Sequence, residues 1–358
     1  MRGGSSPVND PDFDVPPRLP GRARCAVPRR SFLAAAGLGV LAGVAGCAPG
    51  AHRPVAATYL TTSYDDLYPG VEMFLGKARA LGGFDFDVFP SGQLLGAEEL
   101  VPGMLHGVAD LVLQTSSYVS SSFPILGSLE LPFTTEDFNR YLRACDPDSD
   151  VSRLINRALT GQNLRMLGGM ATGFEYLWTI DRPIRTPEDV RGMRLRVAGE
   201  IEGETVKALG GAPVFLGSAE LYQALERGTI DGMMSYLGTV VSRDLQEILR
   251  YGTAAHFGAY TVDAYCRNDW YEALAPQQRH ALDEAGRVLF RDGTAKLVDV
   301  HEHEYLPAVR DAGVELIELD EARLRPFRDA VSAVHERWRA LLGDPAAAQR
   351  ALQLIRDA

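Results

Sequence analysis

Positive charge is scarce in this 358-residue chain. It contains 36 Lys and Arg against 47 Asp and Glu, which gives a formal net charge of −11. This balance argues against nucleic acid as a partner, because phosphate binding requires a basic surface. An anionic ligand would therefore need a cation placed locally at its binding site.

Cysteine is also scarce, with four residues in the whole chain. Cys25 lies before the predicted mature protein and Cys47 at its start, so Cys145 and Cys266 alone remain within the fold. These two have no CxxC spacing and lie in unrelated contexts. We therefore expect two free, buried thiols and no disulfide or redox site.

Long apolar runs are absent except at residues 32–46, FLAAAGLGVLAGVAG. This run is too short to span a bilayer and suits the apolar region of a signal peptide. It follows the pair Arg29 and Arg30 and ends at Cys47 in VAGC. Residues 28–47 thus resemble a twin-arginine export signal joined to a lipoprotein signal, with Cys47 as the lipidated residue.

That resemblance implies a protein in the periplasm or on the outer face of the cell membrane, held there by a lipid anchor alone. A plain secretory signal, in which Cys47 is incidental, stays open as an alternative. Residues 1–27 are rich in Pro, Gly and Arg and are predicted to be a disordered extension.

Motifs of enzymes and metal sites are missing as well. The chain has no GxSxG, HExxH, P-loop or complete dinucleotide-binding motif. In HEHEY (301–305), His301 and His303 are two residues apart and do not share a face of a helix, so no metal site is predicted. We predict that the protein is not an enzyme, and an exported enzyme is the less favoured alternative.

Strand and helix patterns alternate along the rest of the chain, which predicts an α/β fold with largely parallel sheets. The expected strands include residues 54–64 and a long β segment at 253–267. Thr is the expected cap of a helix at 134–144, and Ser218 that of a helix at 218–228. From residue 276 onward the pattern is mostly helical.

The most informative strand is residues 193–198, in which apolar residues alternate with Arg194 and Arg196. Both arginines therefore point to one face. Arg196 lies near the carboxyl end of the strand, where open α/β sheets bind ligands, and its planar guanidinium matches a carboxylate. By spacing alone, the alternative is that both arginines face solvent or pair with nearby acids.

Five stretches in order resemble the solute-binding proteins of tripartite ATP-independent periplasmic (TRAP) transporters, the DctP family, over about residues 55–350. They are VFPSGQLLG (88–96), HGVADLVLQTSS (106–117), LELPF (129–133), EDVRGMRLRV (188–197) and ALGGAPVFLGSAELYQALERGTIDG (208–232). The resemblance implies capture of a small organic acid and its delivery to TRAP membrane subunits for ion-gradient-driven uptake. A binding protein of an ABC-type importer is the alternative.

The resemblance also implies a two-lobed, periplasmic-binding-protein-like (Venus-flytrap) α/β fold with a central cleft. Hinge-connecting strands are expected near 172–178 and 259–264. Lobe I would comprise 54–173 plus 263–301, and lobe II 174–262 plus 302–358.

By the same resemblance, Arg196 forms the salt bridge to the ligand carboxylate, while Arg194 is solvated or structural. A second arginine, common in the crossing segment of relatives, is absent from GFEYLWT (173–179). Other positions also depart from sialic-acid and dicarboxylate members. We therefore expect a monocarboxylate with a hydroxylated or apolar body.

Further candidate ligand-binding residues follow from their positions in the motifs and at strand ends, with loop hydration or core packing as the alternative for each. They are Thr62, Thr115, Glu175, Tyr176, Trp178, Ser218, Ser235 and Tyr236. No cofactor is predicted, and a metal ion that bridges ligand and protein stays open.

Overall fold

Two β-sheets organise the computed structural model, which describes residues 53–358. The export segment with Arg29, Arg30 and Cys47 lies outside the described residues, as do the extension at 1–27 and the whole of 28–47. The strands in chain order are β1 Val55–Thr58, β2 Asp87–Phe89, β3 Leu111–Thr115, β4 Leu164–Ala171, β5 Tyr176–Thr179, β6 Arg194–Val197, β7 Ala212–Phe215, β8 Gly232–Ser235, β9 Tyr251–Ala254, β10 Thr261–Arg267 and β11 Glu315–Glu318.

Helices cover both sheets. They are α1 Tyr68–Gly82, α2 Leu100–Leu105, α3 Ser117–Ser120, α4 Phe138–Cys145, α5 Asp150–Thr160, α6 Glu200–Ala208, α7 Leu221–Glu226, α8 Leu237–Val241, α9 Asn268–Ala273, α10 Pro276–Val288, α11 Thr294–Val300, α12 Leu306–Asp311, α13 Glu321–Ala330, α14 Ser332–Leu342 and α15 Pro345–Asp357. Two π-helical turns, Leu289–Gly293 and His301–Tyr305, join α10, α11 and α12. In this described part of the chain, no helix has both the length and the apolar character needed to cross a membrane.

The first sheet has the order β2-β1-β3-β10-β4, and the second β11-β9-β5-β8-β6-β7. In the first, β1, β2 and β3 run parallel while β10 runs antiparallel to β3 and β4. In the second, β6 runs parallel to β7 and β8, and β5 runs antiparallel to β8 and β9. The α/β class is therefore as predicted, with each sheet mixed rather than wholly parallel.

The chain passes between the two sheets three times: between β4 and β5, between β9 and β10, and, through helices α9 to α12, between β10 and β11. The first two crossings are short connecting segments. The connecting segments pair with each other: Thr172 N donates to Tyr260 O at 3.0 Å, and Glu175 N donates to Gly258 O at 2.9 Å. Two adjacent chain crossings are the geometry of a hinge, since rotation changes only a few backbone angles there.

The predicted β segment at 253–267 is interrupted between Ala254 and Thr261. His256 has φ of 50° and Gly258 has φ of 116°, and both values are incompatible with an extended strand. A Cβ at Gly258 would lie 2.1 Å from Glu130 O, so this close backbone approach requires glycine. The prediction of one continuous strand was therefore wrong.

Two predicted helix caps were also wrong. Helix α4 begins at Phe138, and its cap is Asp137, whose carboxylate accepts a hydrogen bond from Asn139 N. At the second position the residue before the helical turn is Gly217 rather than Ser218. Ser218 instead makes hydrogen bonds across the cleft that are described below. Strand β11 was not predicted, because its four residues lie in a mostly helical region.

The predicted lobe boundaries stay a prediction, and two segments differ in their contacts from that division. β10 belongs to the first sheet from its first residue, Thr261. Helix α15 contacts α4 and α5, whereas α14 contacts α6. The C-terminal helices thus pack against elements of both lobes. Cys145 and Cys266 are both buried, and the structure shows them as free thiols.

Candidate functional site

The carboxyl ends of several strands from both sheets point toward a common cleft. Pairing places Thr115 of β3 beside the start of β10, and Ser235 of β8 beside Tyr176 of β5. The loops that follow β1, β3, β6, β7 and β8 therefore meet where the two chain crossings lie. Open α/β sheets bind ligands in this position.

A small inner cavity of about 20 Å³ lies between these loops. Four of the residues predicted from the sequence line it: Thr115, Arg196, Ser218 and Tyr236. Five further polar residues in its wall were missed: Tyr59, Tyr118, Thr239, Arg243 and Tyr260. The wall is thus rich in hydroxyl groups and contains two arginines.

Arg196 is the most buried arginine side chain of the cleft, with 3% of its surface exposed. Its Nε donates to Leu216 O at 2.9 Å and its Nη2 donates to the hydroxyl of Tyr118 at 2.9 Å. Among residues 53–358, no carboxylate oxygen lies within 4.0 Å of its guanidinium. A buried cation without an ion-pair partner is costly, and such groups are usually paired.

Tyr118 joins the lobes at this point. Its hydroxyl accepts hydrogen bonds from Arg196 Nη2 and from Ser218 N, at 2.9 and 3.2 Å. The lobes also approach closely beside it, since a Cβ at Gly199 would lie 2.3 Å from Ser117 O. One oxygen of the first lobe therefore accepts two donors of the second.

Arg194, two residues earlier on the same face, has a different environment. Its Nη2 lies 2.7 Å from Asp231 Oδ1, and their side chains are 45% and 36% exposed. The backbone N of Arg194 also donates to Asp231 Oδ2 at 2.7 Å. Arg194 lowers the pKa of Asp231 by this hydrogen bonding, which identifies the pair as a surface ion pair.

Buried carboxyl groups lie behind Arg196. Burial raises the pKa of Glu175 well above its usual value and also raises that of Glu202, while Arg196 opposes both shifts. Burial raises the pKa of Glu130 to about 8, although Ser116 and Ser120 donate hydrogen bonds to its carboxylate. The neutral form of Glu130 is therefore favoured near pH 7.

The other predicted residues do not line the inner cavity. Thr62 is exposed on a turn, and Glu175 is buried in the crossing segment. Trp178 is fully buried, donates its Nε1 hydrogen to Ser235 O at 2.9 Å, and stacks on Tyr176. Both aromatic residues belong to the core of the second sheet, because their face of β5 packs against other core residues and not toward the cleft.

Ser235 does not line the cavity, but it contacts two residues that do. Its Oγ donates to Thr239 Oγ1 at 2.7 Å and lies 3.3 Å from the hydroxyl of Tyr260. Tyr236 lines the cavity with its ring, while its hydroxyl donates to Asp66 Oδ2 at 2.7 Å.

Sequence patterns gave little signal for the missed residues. Tyr118 lies in the serine-rich stretch SSYVSSSFP (116–124), whose polar character does not indicate the short helix α3 that forms there. Arg243 follows α8 in an ordinary SRD sequence, and only the fold brings it near Arg196.

A larger outer cavity of about 620 Å³ adjoins the inner one. The two share Tyr118 and Ala198 in their walls. Phe215 on its rim is 48% exposed, which is unusual for a large apolar side chain. Tyr118 thus separates a polar inner space from a wider outer one.

His301 and His303 of the HEHEY segment have separate partners. Nε2 of His301 lies 3.1 Å from Asp66 Oδ2, and Nδ1 of His303 lies 3.1 Å from Asp299 Oδ1. No group of three or more His, Cys, Asp and Glu within the described range is arranged to hold a metal ion.

Comparisons with known proteins agree with this geometry. Residues 64–340 match the family model of DctP, bacterial extracellular solute-binding protein family 7. The chain is 28% identical over 275 residues to the uncharacterized protein YiiZ of Salmonella typhimurium, covering 74% of this chain and 80% of YiiZ. It is 24% identical over 281 residues to the 2,3-diketo-L-gulonate-binding periplasmic protein YiaO of Escherichia coli, covering 76% and 83%.

The fold also matches solved structures. One is a TRAP periplasmic solute-binding protein from a Sulfitobacter species with bound β-D-galacturonate; its TM-score is 0.76 at 22% identity, covering 85% of this chain and 99% of that one. The predicted two-lobed fold is therefore confirmed. The comparisons favour neither an ABC-type importer protein nor an enzyme, since the matched family consists of binding proteins. The chain belongs to bacterial extracellular solute-binding protein family 7, the DctP family, as its five motifs predicted.

Proposed function

We propose that the cleft captures a small organic acid and that Arg196 binds its carboxylate. The observation that carries this proposal is a nearly fully buried guanidinium with no ion pair within 4.0 Å among the described residues. Two of its five N–H groups are used, on Leu216 O and the Tyr118 hydroxyl. A ligand carboxylate would supply the missing direct ion pair in bidentate geometry.

Tyr118 marks where that carboxylate binds. Its hydroxyl oxygen accepts from Arg196 Nη2 and Ser218 N, and both donors suit a carboxylate oxygen equally well. Because the inner cavity of about 20 Å³ is too small for an organic acid, binding requires Tyr118 to move or the lobes to separate. Rotation at the paired crossings would open this space to the outer cavity.

A hydroxylated monocarboxylate is the ligand class that we propose. Hydroxyl groups in the cavity wall both donate and accept hydrogen bonds, as ligand hydroxyls require. Two of the ligands named for relatives, 2,3-diketo-L-gulonate and galacturonate, each carry one carboxylate and several further oxygens, whereas other relatives are named for C4-dicarboxylates. The absence of an arginine from GFEYLWT also favoured a ligand with one carboxylate. However, Arg243 places a second cation in the cavity wall from a different segment of the chain.

Thermal unfolding with a panel of acids tests this function. The panel comprises lactate, gluconate, galacturonate, succinate and propanoate, with lactamide and galacturonamide as controls that lack the charge. A ligand at about 100 times its Kd should add about 2.7 kcal/mol to the free energy of unfolding, which raises Tm visibly. Equal shifts with acid and amide, or none with any acid, would contradict the proposal.

The protein would deliver its ligand to the membrane subunits of a TRAP transporter. Lipidation at Cys47 and export directed by Arg29 and Arg30 would hold it on the outer face of the membrane. Labelled palmitate tests the anchor: wild type should incorporate it, and Cys47→Ser should not. Export of both proteins without any label would instead favour a simple cleaved signal.

A further inference from the structure

A second arginine, Arg243, enters the inner cavity from the segment that follows α8. It comes from a different loop from Arg196, and the sequence patterns gave it no role. Its Nη1 donates to Ser242 Oγ at 2.8 Å, and its Nη2 donates to Ser218 Oγ at 3.1 Å. The guanidinium is thus fixed by two hydroxyl groups of its own lobe.

The remaining hydrogen-bonding capacity of Arg243 is unused. Its Nε is shielded from solvent and has no hydrogen-bond partner within residues 53–358. No carboxylate of that range lies within 4.0 Å of the guanidinium. Buried polar groups are nearly always hydrogen-bonded, so this donor indicates a missing acceptor.

The guanidinium of Arg243 packs over a tyrosine ring of the first lobe. Arg243 Cζ lies 4.3 Å from the ring centroid of Tyr64, which packs in the core of the first lobe. This cation–π contact joins the lobes beside the cavity. Arg243 therefore makes this contact only when the two lobes are together.

The two arginines are linked through Tyr118 and Ser218. The backbone N of Ser218 donates to the Tyr118 hydroxyl, which also accepts a hydrogen bond from Arg196. The Oγ of Ser218 accepts a hydrogen bond from Arg243. Their electrostatic surroundings differ, because Glu175 and Glu202 interact with Arg196. Arg243 faces tyrosines instead. A ligand held by both would place its carboxylate at Arg196 and another oxygen beside Arg243.

We infer that Arg243 is a specificity-determining residue that binds a hydroxyl or oxo oxygen of the monocarboxylate. This inference rests on the proposed function, since it requires an acid bound at Arg196. It makes oxygen-substituted acids the preferred class over aliphatic acids of the same length. A second carboxylate would satisfy the same donors, and the experiment separates the two.

The experiment measures affinity by calorimetry for the full chain with matched probes. Lactate and pyruvate are compared with propanoate, gluconate with hexanoate, and malonate serves as the dicarboxylate. Arg243→Gln and Arg243→Lys are compared with Arg250→Gln, a variant of an exposed arginine on the same segment that bonds only nearby carbonyls.

Wild type should prefer the hydroxyl- or oxo-substituted member of a pair. Arg243→Gln should weaken its binding about 10- to 100-fold, as expected for a charge-assisted hydrogen bond, and bring it near that of the aliphatic partner. Arg243→Lys should retain part of the preference, and Arg250→Gln should match wild type. Circular dichroism melting identifies any variant that fails to fold, and the other Arg243 variant then decides.

Three results would overturn the inference. An unchanged preference for oxygen-substituted acids in both Arg243 variants would show that this side chain does not bind the additional oxygen of the ligand. An equal loss for substituted and aliphatic acids would assign it to lobe closure alone, and tightest binding of malonate would assign a second carboxylate. If wild type binds none of the acids, the proposed function itself fails, which is distinct from failure of Arg243 alone.

Discussion

The two ends of strand β6 place the same residue type in opposite environments. Arg194 and Arg196 lie two residues apart on one face, yet Arg194 is 45% exposed and pairs with Asp231, while Arg196 is 3% exposed and has no acid within 4.0 Å in the described chain. Arg194 lies at the start of the strand and Arg196 near its carboxyl end, beside the cleft. Position relative to the sheet edge, rather than residue type or spacing, thus separates a surface ion pair from the proposed binding group.

The difference also has an energetic meaning. An exposed ion pair contributes little, because water and salt screen it. A buried guanidinium without a direct ion pair is costly until a ligand supplies one. The cleft end of β6 is therefore the part of the strand that favours function at the expense of stability.

Removing each arginine in turn is the most direct way to break this comparison, and it has the largest expected effect. Arg196→Ala should weaken carboxylate binding by about 2–5 kcal/mol, or roughly 30- to 5,000-fold in Kd. Arg194→Ala is the matched control and should bind like wild type. Isothermal calorimetry with the best acid measures both. Equal losses in the two variants would show that the strand as a whole, not its cleft end, matters.

The pH dependence of stability extends the comparison to the buried carboxyl groups behind Arg196. The folded state raises the pKa of Glu130 from its usual 4.5 to about 8, so folded protein keeps a proton that unfolded protein releases between these values. The contribution of Glu130 to stability is therefore greatest below pH 4.5 and falls as pH rises toward 8. The loss is at most about 1.4 kcal/mol per pH unit.

Urea unfolding between pH 5 and 8 measures this effect. Glu130→Gln keeps the shape of the side chain and stays neutral, so its stability should fall less with rising pH than that of wild type. Identical pH dependence in the two proteins would mean that Glu130 is charged when folded.

Tyr118 tests the link between the cleft end of β6 and the opposite lobe. Tyr118→Phe removes the acceptor for Arg196 Nη2 and Ser218 N. Loss of these bonds should cost the closed form about 0.5–1.5 kcal/mol per bond and shift the free protein toward an open form. Small-angle X-ray scattering should then give a larger radius of gyration, with Tyr68→Phe on α1 as control. An unchanged radius would indicate that other contacts keep the lobes closed.

Breaking the ion pair at the exposed end of β6 should have the smallest effect on stability. The pH dependence of this contribution should be opposite in sign to that of Glu130. Arg194 lowers the pKa of Asp231 below 3.8, so the pair stabilises the fold above this value and loses its contribution as pH falls through the lowered pKa. Asp231→Asn should lower Tm by about one or two degrees at pH 7, and less at high salt. A large decrease that persists in 1 M NaCl would show that this pair is more than a screened surface contact.

Several features of the site could be predicted from local sequence because they depend on strand periodicity and motif order. The alternation in residues 193–198 placed Arg194 and Arg196 on one face, and the structure has them there. Thr115, Ser218 and Tyr236 follow strand ends and do line the cavity. Trp178 and Tyr176 also lie on a strand, but their side of the sheet is covered by core residues that are distant in sequence.

The sequence by itself determined the family, the α/β alternation and the arginine that lies nearest the cleft, since each depends on neighbouring residues. Only the tertiary structure decided the rest of the site. Tyr118, Arg196 and Arg243 come from three separate segments, and their contacts through the Tyr118 hydroxyl and Ser218 exist because two sheets end at one cleft. Burial and the lack of a direct ion pair are properties of that assembled environment, so no local pattern could reveal them.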